Sequence, residues 1–380
     1  MEAIREAVKQ DLEDWDLVER FLPEGWQAMA RETKAFRRRR GKFTDAPSLL
    51  RTLLIHLAAG CSLKETALRA RLGGLADVLA VAVWKRLREA GEWFRQMAAA
   101  LRNDWVRRLP GDALASGYRL RLVDASTVSE PGSTGSNWRI HYAVELGTLQ
   151  CDSVEVTEVK VGESFRRFAV SPGDLMIADR GCANPPGVAH VIRHGGDALV
   201  RLTLTNLPLQ SAACTPWSVL KRLKRLAMGQ IGEWRCWMKS DRPQEGRIAV
   251  RVCAVRKSRA AAEKARAALL REARKKNRQV RPETLEMAGF VVMLTTAPPE
   301  RLPAGAALGV YRGRWQIELV FKRLKSILRL GHLPKKDPRG AVAWLLGKLF
   351  VAFLVEALIH TGESFFPWGY PLGPPRPATA

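Results

Sequence analysis

Three carboxylates in this sequence stand in settings suited to chemistry. Glu318 lies in YRGRWQIELVFKRLKSILR, residues 311–329, and is the only acid between Arg312 and Lys336, a span holding eight Lys or Arg. Ile317, Val320, Phe321, Leu324, Ile327 and Leu328 recur at three- and four-residue steps, which predicts one helix over 311–329 with a buried face. At about 100° per residue, Tyr311, Arg314, Glu318, Lys322, Lys325 and Arg329 then share a stripe roughly 80° wide, a single carboxylate among cations. A solvated helix face with one i,i+4 Glu–Lys pair would look much the same. Asp124 and Asp179 each end an apolar run, RLRLVD and LMIAD, the pattern of a strand with a carboxylate at its tip. Either alone reads as a turn cap. Two such ends together with the Glu318 helix point to one site. The six cysteines and six histidines form no cluster, so any metal here should be held by carboxylate oxygen.

The elements that must position these acids follow in order. Residues 1–34 read as amphipathic helices broken at Pro23-Glu24-Gly25, followed by the basic run Arg37, Arg38, Arg39, Arg40 and Lys42, either a solvated loop or an arm for phosphate. Residues 47–98 look helical. Ser62 to Glu65 has the form of a capping box, and a short helix, Gly73-Gly74 and a longer helix from about Asp77 to Ala90 form a helix-turn-helix pattern. The longer helix carries Lys85, Arg86 and Arg88, the candidate groove readers. From Tyr118 the period changes to strands: 118–124, 138–146 and 148–159, a short helix at 163–168, a strand at 175–179, a helix from about Pro186 to His194 and a strand at 198–204. Three strands, helix, strand, helix, strand, with acids ending the first and fourth strands, is the order of an RNase H-like core. About 140 residues separate the fourth strand from Glu318, far more than a crossover needs. They contain candidate strands at 233–239 and 247–255 and a charged helix over 258–279, and read as a partly β insertion.

Composition narrows the partner. With 62 Lys and Arg against 38 Asp and Glu the formal charge is +24, so a polyanion is the default partner and nucleic acid the first choice. No uninterrupted apolar run reads as a membrane span. Ala341 to Ile359 comes nearest but is broken by Lys348 and Glu356, and reads as a packed C-terminal helix. The expected setting is the reducing cytoplasm, with no membrane partner.

LVDAST around Asp124, MIADRG around Asp179 and YRGRWQIELVFKRLK around Glu318 resemble the motifs of the IS4-family insertion-sequence transposases. Tyr311, Arg314, Glu318 and Lys325 match the spacing of that family's Y-R-E-K signature, in which the Glu is the last of three catalytic carboxylates. The resemblance implies an α+β multidomain protein: an RNase H-like catalytic core interrupted by a β-rich insertion, with an all-helical N-terminal DNA-binding domain. It divides the chain at 1–112, 113–204, 205–289, 290–362 and a Pro-rich tail over 363–380. It implies DNA cleavage and strand transfer at the inverted-repeat ends of an insertion sequence, cut-and-paste through a hairpin, by a homodimer that also engages target DNA beside the bacterial nucleoid. Two Mg²⁺ ions, or Mn²⁺ in their place, would be bridged by Asp124 and held singly by Asp179 and Glu318. Arg314, Lys322 and Lys325 would hold phosphates, with Tyr311 packing or bonding to the backbone. A hairpin also demands that a terminal base be flipped, and an aromatic platform would lower that cost, for which Trp234 and Trp237 are candidates, with Trp138 and His141 weaker ones. Cys182 departs from the aromatic often found in the family's second motif, and the tail after Lys348 is short.

Three other readings remain: a catalytically inactive transposase-derived DNA-binding protein, a different metal-dependent nuclease on the same core, and a basic helical scaffold for RNA. The last leaves the Asp-ended strands without a purpose.

Overall fold

The computed structural model describes residues 15–37, 43–107, 117–326, 328–331 and 333–365. By contact they fall into two units, one of residues 1–108, 128–135 and 323–380, the other of residues 109–127 and 136–322.

Among the described residues, the first unit opens with six helices: α1 (Trp15–Glu19), α2 (Trp26–Glu32), α3 (Ala46–Leu57), α4 (Leu63–Leu72), α5 (Ala80–Glu89) and α6 (Gly91–Arg107). Their starts follow from local chemistry. The Ser48 amide donates to Asp45 Oδ1 at 2.7 Å, and Pro47 occupies the first turn of α3, where its missing N–H costs nothing. The Glu65 amide donates to Ser62 Oγ at 3.2 Å and opens α4. The α4–α5 connection runs over 73–79, longer than a tight helix-turn-helix turn. It delays α5 to Ala80, because Leu79 keeps an extended backbone.

The second unit is built on one nine-stranded sheet, ordered β3-β2-β1-β4-β5-β9-β8-β7-β6. Its strands are β1 (Arg119–Val128), β2 (Trp138–Glu145), β3 (Cys151–Glu158), β4 (Asp174–Ala178), β5 (Asp197–Arg201), β6 (Leu209–Gln210), β7 (Ile231–Lys239), β8 (Arg247–Arg256) and β9 (Phe290–Thr295). Between them lie α7 (Pro185–Arg193), α8 (Val219–Leu223), α9 (Arg259–Lys275) and α10 (Pro282–Met287), and after β9 come α11 (Ala304–Arg312) and α12 (Trp315–Ser326), the last belonging to this unit as far as Lys322. β1, β4 and β5 run parallel, and β4 is buried along its whole length, as a central parallel strand should be. β9 pairs antiparallel with β5 and with β8, so the strands between residues 205 and 289 continue the core sheet. Ion pairs pin the opposite end of β1 and β4: Asp174 accepts from Arg119 Nε at 2.7 Å and from Arg121 at 2.9 Å, with Arg121 also bonded to Asp152.

The first unit closes with α13 (Pro338–Phe365), which packs on α6, α5 and α3. The window Pro338–Ile359 is long and apolar enough to cross a bilayer by length and composition, yet 61% of it is buried inside the protein. Rings stack across α2, α6 and α13: Trp26 on Trp93 at 6.1 Å, Trp93 on Phe94 at 6.1 Å and Phe94 on Phe350 at 5.8 Å. Trp93 Nε1 donates to the Trp26 carbonyl at 2.8 Å. Gly91 permits this close packing, since a Cβ there would lie 3.2 Å from Ala343 Cα. Trp93→Ala removes a fully buried ring and its hydrogen bond, and is expected to cost about 3–5 kcal/mol, read as a lower urea midpoint.

Candidate active site

Strand register brings the two aspartates together. Val123 of β1 pairs with Ala178 of β4, and Ala178 pairs with Val200 of β5. The next residues along these three strands are Asp124, Asp179 and Arg201, which form a row at one sheet edge. Neighbouring strands lie about 4.8 Å apart, so Asp124 and Asp179 are neighbours in space. The expectation that Asp124 ends its strand needs adjusting: β1 runs on to Val128, and Asp124 lies one residue beyond the pairing with β4.

The 311–329 stretch is not one helix. α11 stops at Arg312 with Gly313 as its C-cap, and α12 begins at Trp315. A single helical stripe therefore does not link Tyr311 to Lys325. The break instead turns Tyr311 and Arg314 onto the aspartates. The Tyr311 hydroxyl donates to Asp179 Oδ1 at 3.0 Å, and Arg201 Nη1 lies 4.0 Å from the same oxygen. Arg314 donates through Nη2 to Glu318 Oε1 at 2.5 Å, while its Nη1 lies 3.9 Å from Asp124 Oδ2. One guanidinium thus joins the first and third acids. Its side chain is 15% exposed and the Glu318 side chain 57%.

The two aspartates are driven apart in acidity. Burial pushes the Asp124 carboxyl up to about 6, a rise that Glu163 and Asp179 reinforce and that the Ala125 amide and Arg314 oppose. Burial acts the same way on Asp179, but the Arg180 amide, Arg314, the Tyr311 hydroxyl and Arg201 outweigh it and hold the carboxyl below its ordinary value. A site that keeps one carboxylate ionised and makes its neighbour costly to ionise is poised to receive a cation. The donors are all carboxylate oxygens, which suits Mg²⁺. Among the described residues, however, no three His, Cys, Asp or Glu side chains stand close enough to share one ion. Glu318 is instead paired with Arg314.

A family profile described as the transposase DDE domain matches residues 115–354. The chain is 35% identical over 348 residues to the "Putative transposase InsL for insertion sequence element IS186A" of Escherichia coli (strain K12), a match covering 91% of this chain and 93% of that protein. The chain belongs to the IS4-type DDE transposases. An Escherichia coli "Transposase for insertion sequence element IS421" is also 35% identical, over 349 residues. A Bacillus thuringiensis subsp. israelensis "Transposase for insertion sequence element IS231F" is 26% identical over 201 residues, 49% of this chain and 42% of its own length.

The other sequence candidates are distributed around this transposase. Lys322 and Lys325 are exposed on α12. On α5, Lys85 is exposed and Arg86 pairs with Glu89 at 2.9 Å. Arg38 and Arg39 lie outside the described residues. Trp234 packs with Trp217 at 6.5 Å and against the sheet core, and it closes over Gly232, where a Cβ would fall 2.4 Å from its ring. Trp237 is half-buried between Arg235 and Arg247, at 5.8 and 5.6 Å. Trp138 is buried, and buried His141 bonds Thr157 Oγ1 at 2.9 Å, its imidazole held down near 4 by burial and neighbouring arginines. Cys182 is a core side chain.

Sequence reading missed two residues near the acids. Trp315, 52% exposed, stands three positions before Glu318, where the helical pattern gave it no distinction. Glu163 is half-buried; a Cβ on Gly181 would fall 1.8 Å from its Oε2, and Arg139 lies 3.8 Å away. A lone Glu at the start of a predicted short helix offers no periodic signal.

Tyr311→Phe tests the contact to Asp179. Losing the donor raises the carboxyl, so the acid limb of the pH–rate profile for DNA cleavage should move toward neutral pH. The rate at pH 8 should fall by less than about tenfold, because both groups then hold their working charge state.

Proposed function

We propose that this transposase cuts and joins phosphodiester bonds at the inverted-repeat ends of an insertion sequence, with Asp124, Asp179 and Glu318 as its catalytic carboxylates. The observation that carries the reading is the register row that sets Asp124 beside Asp179, with Arg314 tying Asp124 to Glu318. Asp124, Asp179 and Glu318 would hold Mg²⁺, or Mn²⁺ as substitute, which would supply positive charge to the attacking and leaving oxygens. The residues of the chain do the rest. Without DNA, Arg314 neutralises Asp124 and Glu318. A DNA phosphate competes for the same guanidinium, so substrate binding releases both carboxylates for the site. Lys322 and Lys325 extend phosphate contact along α12. Tyr311 positions Asp179.

The finer steps belong to the same proposal. Cut-and-paste through a hairpin needs a terminal base drawn out of the stack, and an aromatic face lowers the cost. Trp315 and Trp237 suit that role better than Trp234, whose ring is committed to the core. The helical segment within 1–112, with Lys85, Arg86, Arg38 and Arg39, serves as the end-binding domain, and 205–289 as the insertion. Two chains would bridge two ends in the bacterial cytoplasm.

The reading is tested by mixing the purified chain with labelled duplex carrying the element's own ends. Strand cleavage should require Mg²⁺ or Mn²⁺, stop with EDTA and return when the ion is restored. Tight end binding with no cleavage under either ion would instead favour the inactive DNA-binding relic.

A further inference from the structure

The sheet edge that carries the acids continues into a basic cavity that the catalytic reading does not use. This cavity, of about 510 Å³, is lined by Lys224, Arg256, Lys257, Arg259 and Arg266, with Glu286 as its one acid. It opens where β8 ends at Arg256 and β9 begins at Phe290, a register pair. β8 lies three strands from β4 in the sheet, roughly 14 Å at ordinary strand spacing. Arg201, in the row with Asp179, lies close enough to Lys257 for its charge to act there. Cations therefore run from Asp179 through Arg201 and Lys257 into the cavity.

The side chains are held in place by backbone. Arg256 Nη1 donates to the Leu226 carbonyl at 2.8 Å while its guanidinium lies 5.9 Å from the Phe290 ring, Lys257 Nζ donates to the Ala288 carbonyl at 2.8 Å, and Arg266 Nε donates to the Leu285 carbonyl at 3.2 Å. Each bond uses one donor of a group with three or five. Gly289 allows the close approach, since a Cβ there would lie 3.3 Å from Arg266 Nη2. Glu286 pairs with Lys224 at 3.2 Å and Glu263 with the exposed Arg259 at 3.1 Å, while Arg256, Lys257 and Arg266 are held on carbonyls at the cavity wall. Burial, then Arg201, lowers the Lys257 ammonium. Mutually repelling cations fixed on carbonyls are relieved by an anion.

We propose that this cavity holds backbone phosphates of the DNA strand whose scissile bond lies at Asp124 and Asp179. The proposal rests on the DNA-cleaving reading above and adds a binding site to it. Arg256 also lies three residues beyond Cys253, the level of the Asp179 row, so the separation is roughly 17 Å, about five nucleotides along a duplex, and the contact falls on the flank of the cleavage point.

Arg259 and Arg266 are seven residues apart on one exposed stripe of α9, and Lys264 and Arg271 occupy the opposite stripe with the same spacing. R259A/R266A and K264A/R271A therefore remove equal charge from one helix, and alanine preserves it. Binding of labelled end duplex is measured by fluorescence anisotropy in Ca²⁺ across a salt series, with melting temperatures as a check on folding. R259A/R266A should weaken binding about 10- to 100-fold at 0.1 M salt and lower the slope of log K against log salt by about two, while K264A/R271A stays within about threefold of wild type. Equal losses in the two variants, or an unchanged slope in the first, overturn the cavity and leave the cleavage reading standing. A wild type that binds no end DNA, yet melts higher with inorganic pyrophosphate in a way R259A/R266A abolishes, overturns the DNA source and the cleavage reading together.

Discussion

Asp124→Asn is expected to lose at least about a thousandfold in Mg²⁺-dependent cleavage of end DNA, to bind that DNA as wild type does, and to be more stable than wild type without metal. The first effect follows from charge: an amide keeps the shape and the Ala125 contact but cannot neutralise a divalent cation. The last follows from the raised acidity constant. The carboxyl sits at about 6 in the folded chain against an ordinary 3.8, so the folded state disfavours its ionised form. That penalty is absent below about pH 4, grows between the two values and is complete above about pH 6. With the side chain 22% exposed, roughly 1–2 kcal/mol remains after screening, a few degrees in melting temperature. In EDTA at pH 7.5 the variant should melt higher than wild type, and at pH 4 the two should coincide. Equal melting at pH 7.5 would mean that Asp124 carries no buried charge.

Arg314→Ala should be nearly as damaging to cleavage, by about a hundred- to a thousandfold, but with the opposite sign in stability. Its side chain is 15% exposed and stands between Asp124 and Glu318, so its loss leaves two carboxylates without their shared cation. The metal-free variant should be destabilised by about 1–3 kcal/mol. Much of that loss should return on adding Mg²⁺, because a divalent ion replaces the missing charge. Arg314→Lys keeps a charge but not the fork that reaches both acids, and should recover stability more than rate. A variant whose melting is indifferent to Mg²⁺ would remove Arg314 from the acid cluster. Chemical denaturation with and without Mg²⁺, alongside single-turnover cleavage, separates the two effects.

The acids were legible because each lies beside a strong pattern. RLRLV and LMIA read as strands since parallel strands are buried on both faces, and Glu318 stood out as one acid among eight cations. The row itself was not legible, since a sequence carries no register and Val123↔Ala178 joins residues far apart in the chain. The helix break at Gly313-Arg314 was missed because a Gly followed by an Arg leaves the apolar period intact on both sides. That break makes Arg314 a bridge rather than one cation on a stripe. The strands over 231–256 were visible, but their continuity with the core sheet depends on β9 pairing with β5 and β8, a long-range event no local pattern encodes. Trp315 lay within the predicted 311–329 helix and Glu163 at the start of the predicted short helix, and neither pattern set them apart from their neighbours.

The central claim is that Asp124, Asp179 and Glu318 act as one unit, and non-additivity tests it most directly. Single-turnover cleavage of end DNA is measured for wild type, for Asp124→Asn, Asp179→Asn and Glu318→Gln, and for the Asp124→Asn/Glu318→Gln double variant, with DNA binding checked in Ca²⁺. Residues that work as a unit give single losses about as large as the combined one. The account predicts that each single variant binds DNA and loses at least about a thousandfold in rate, and that the double loses no more than about tenfold beyond either. Any single amide variant cutting at the wild-type rate, or losses that multiply in the double, would contradict it.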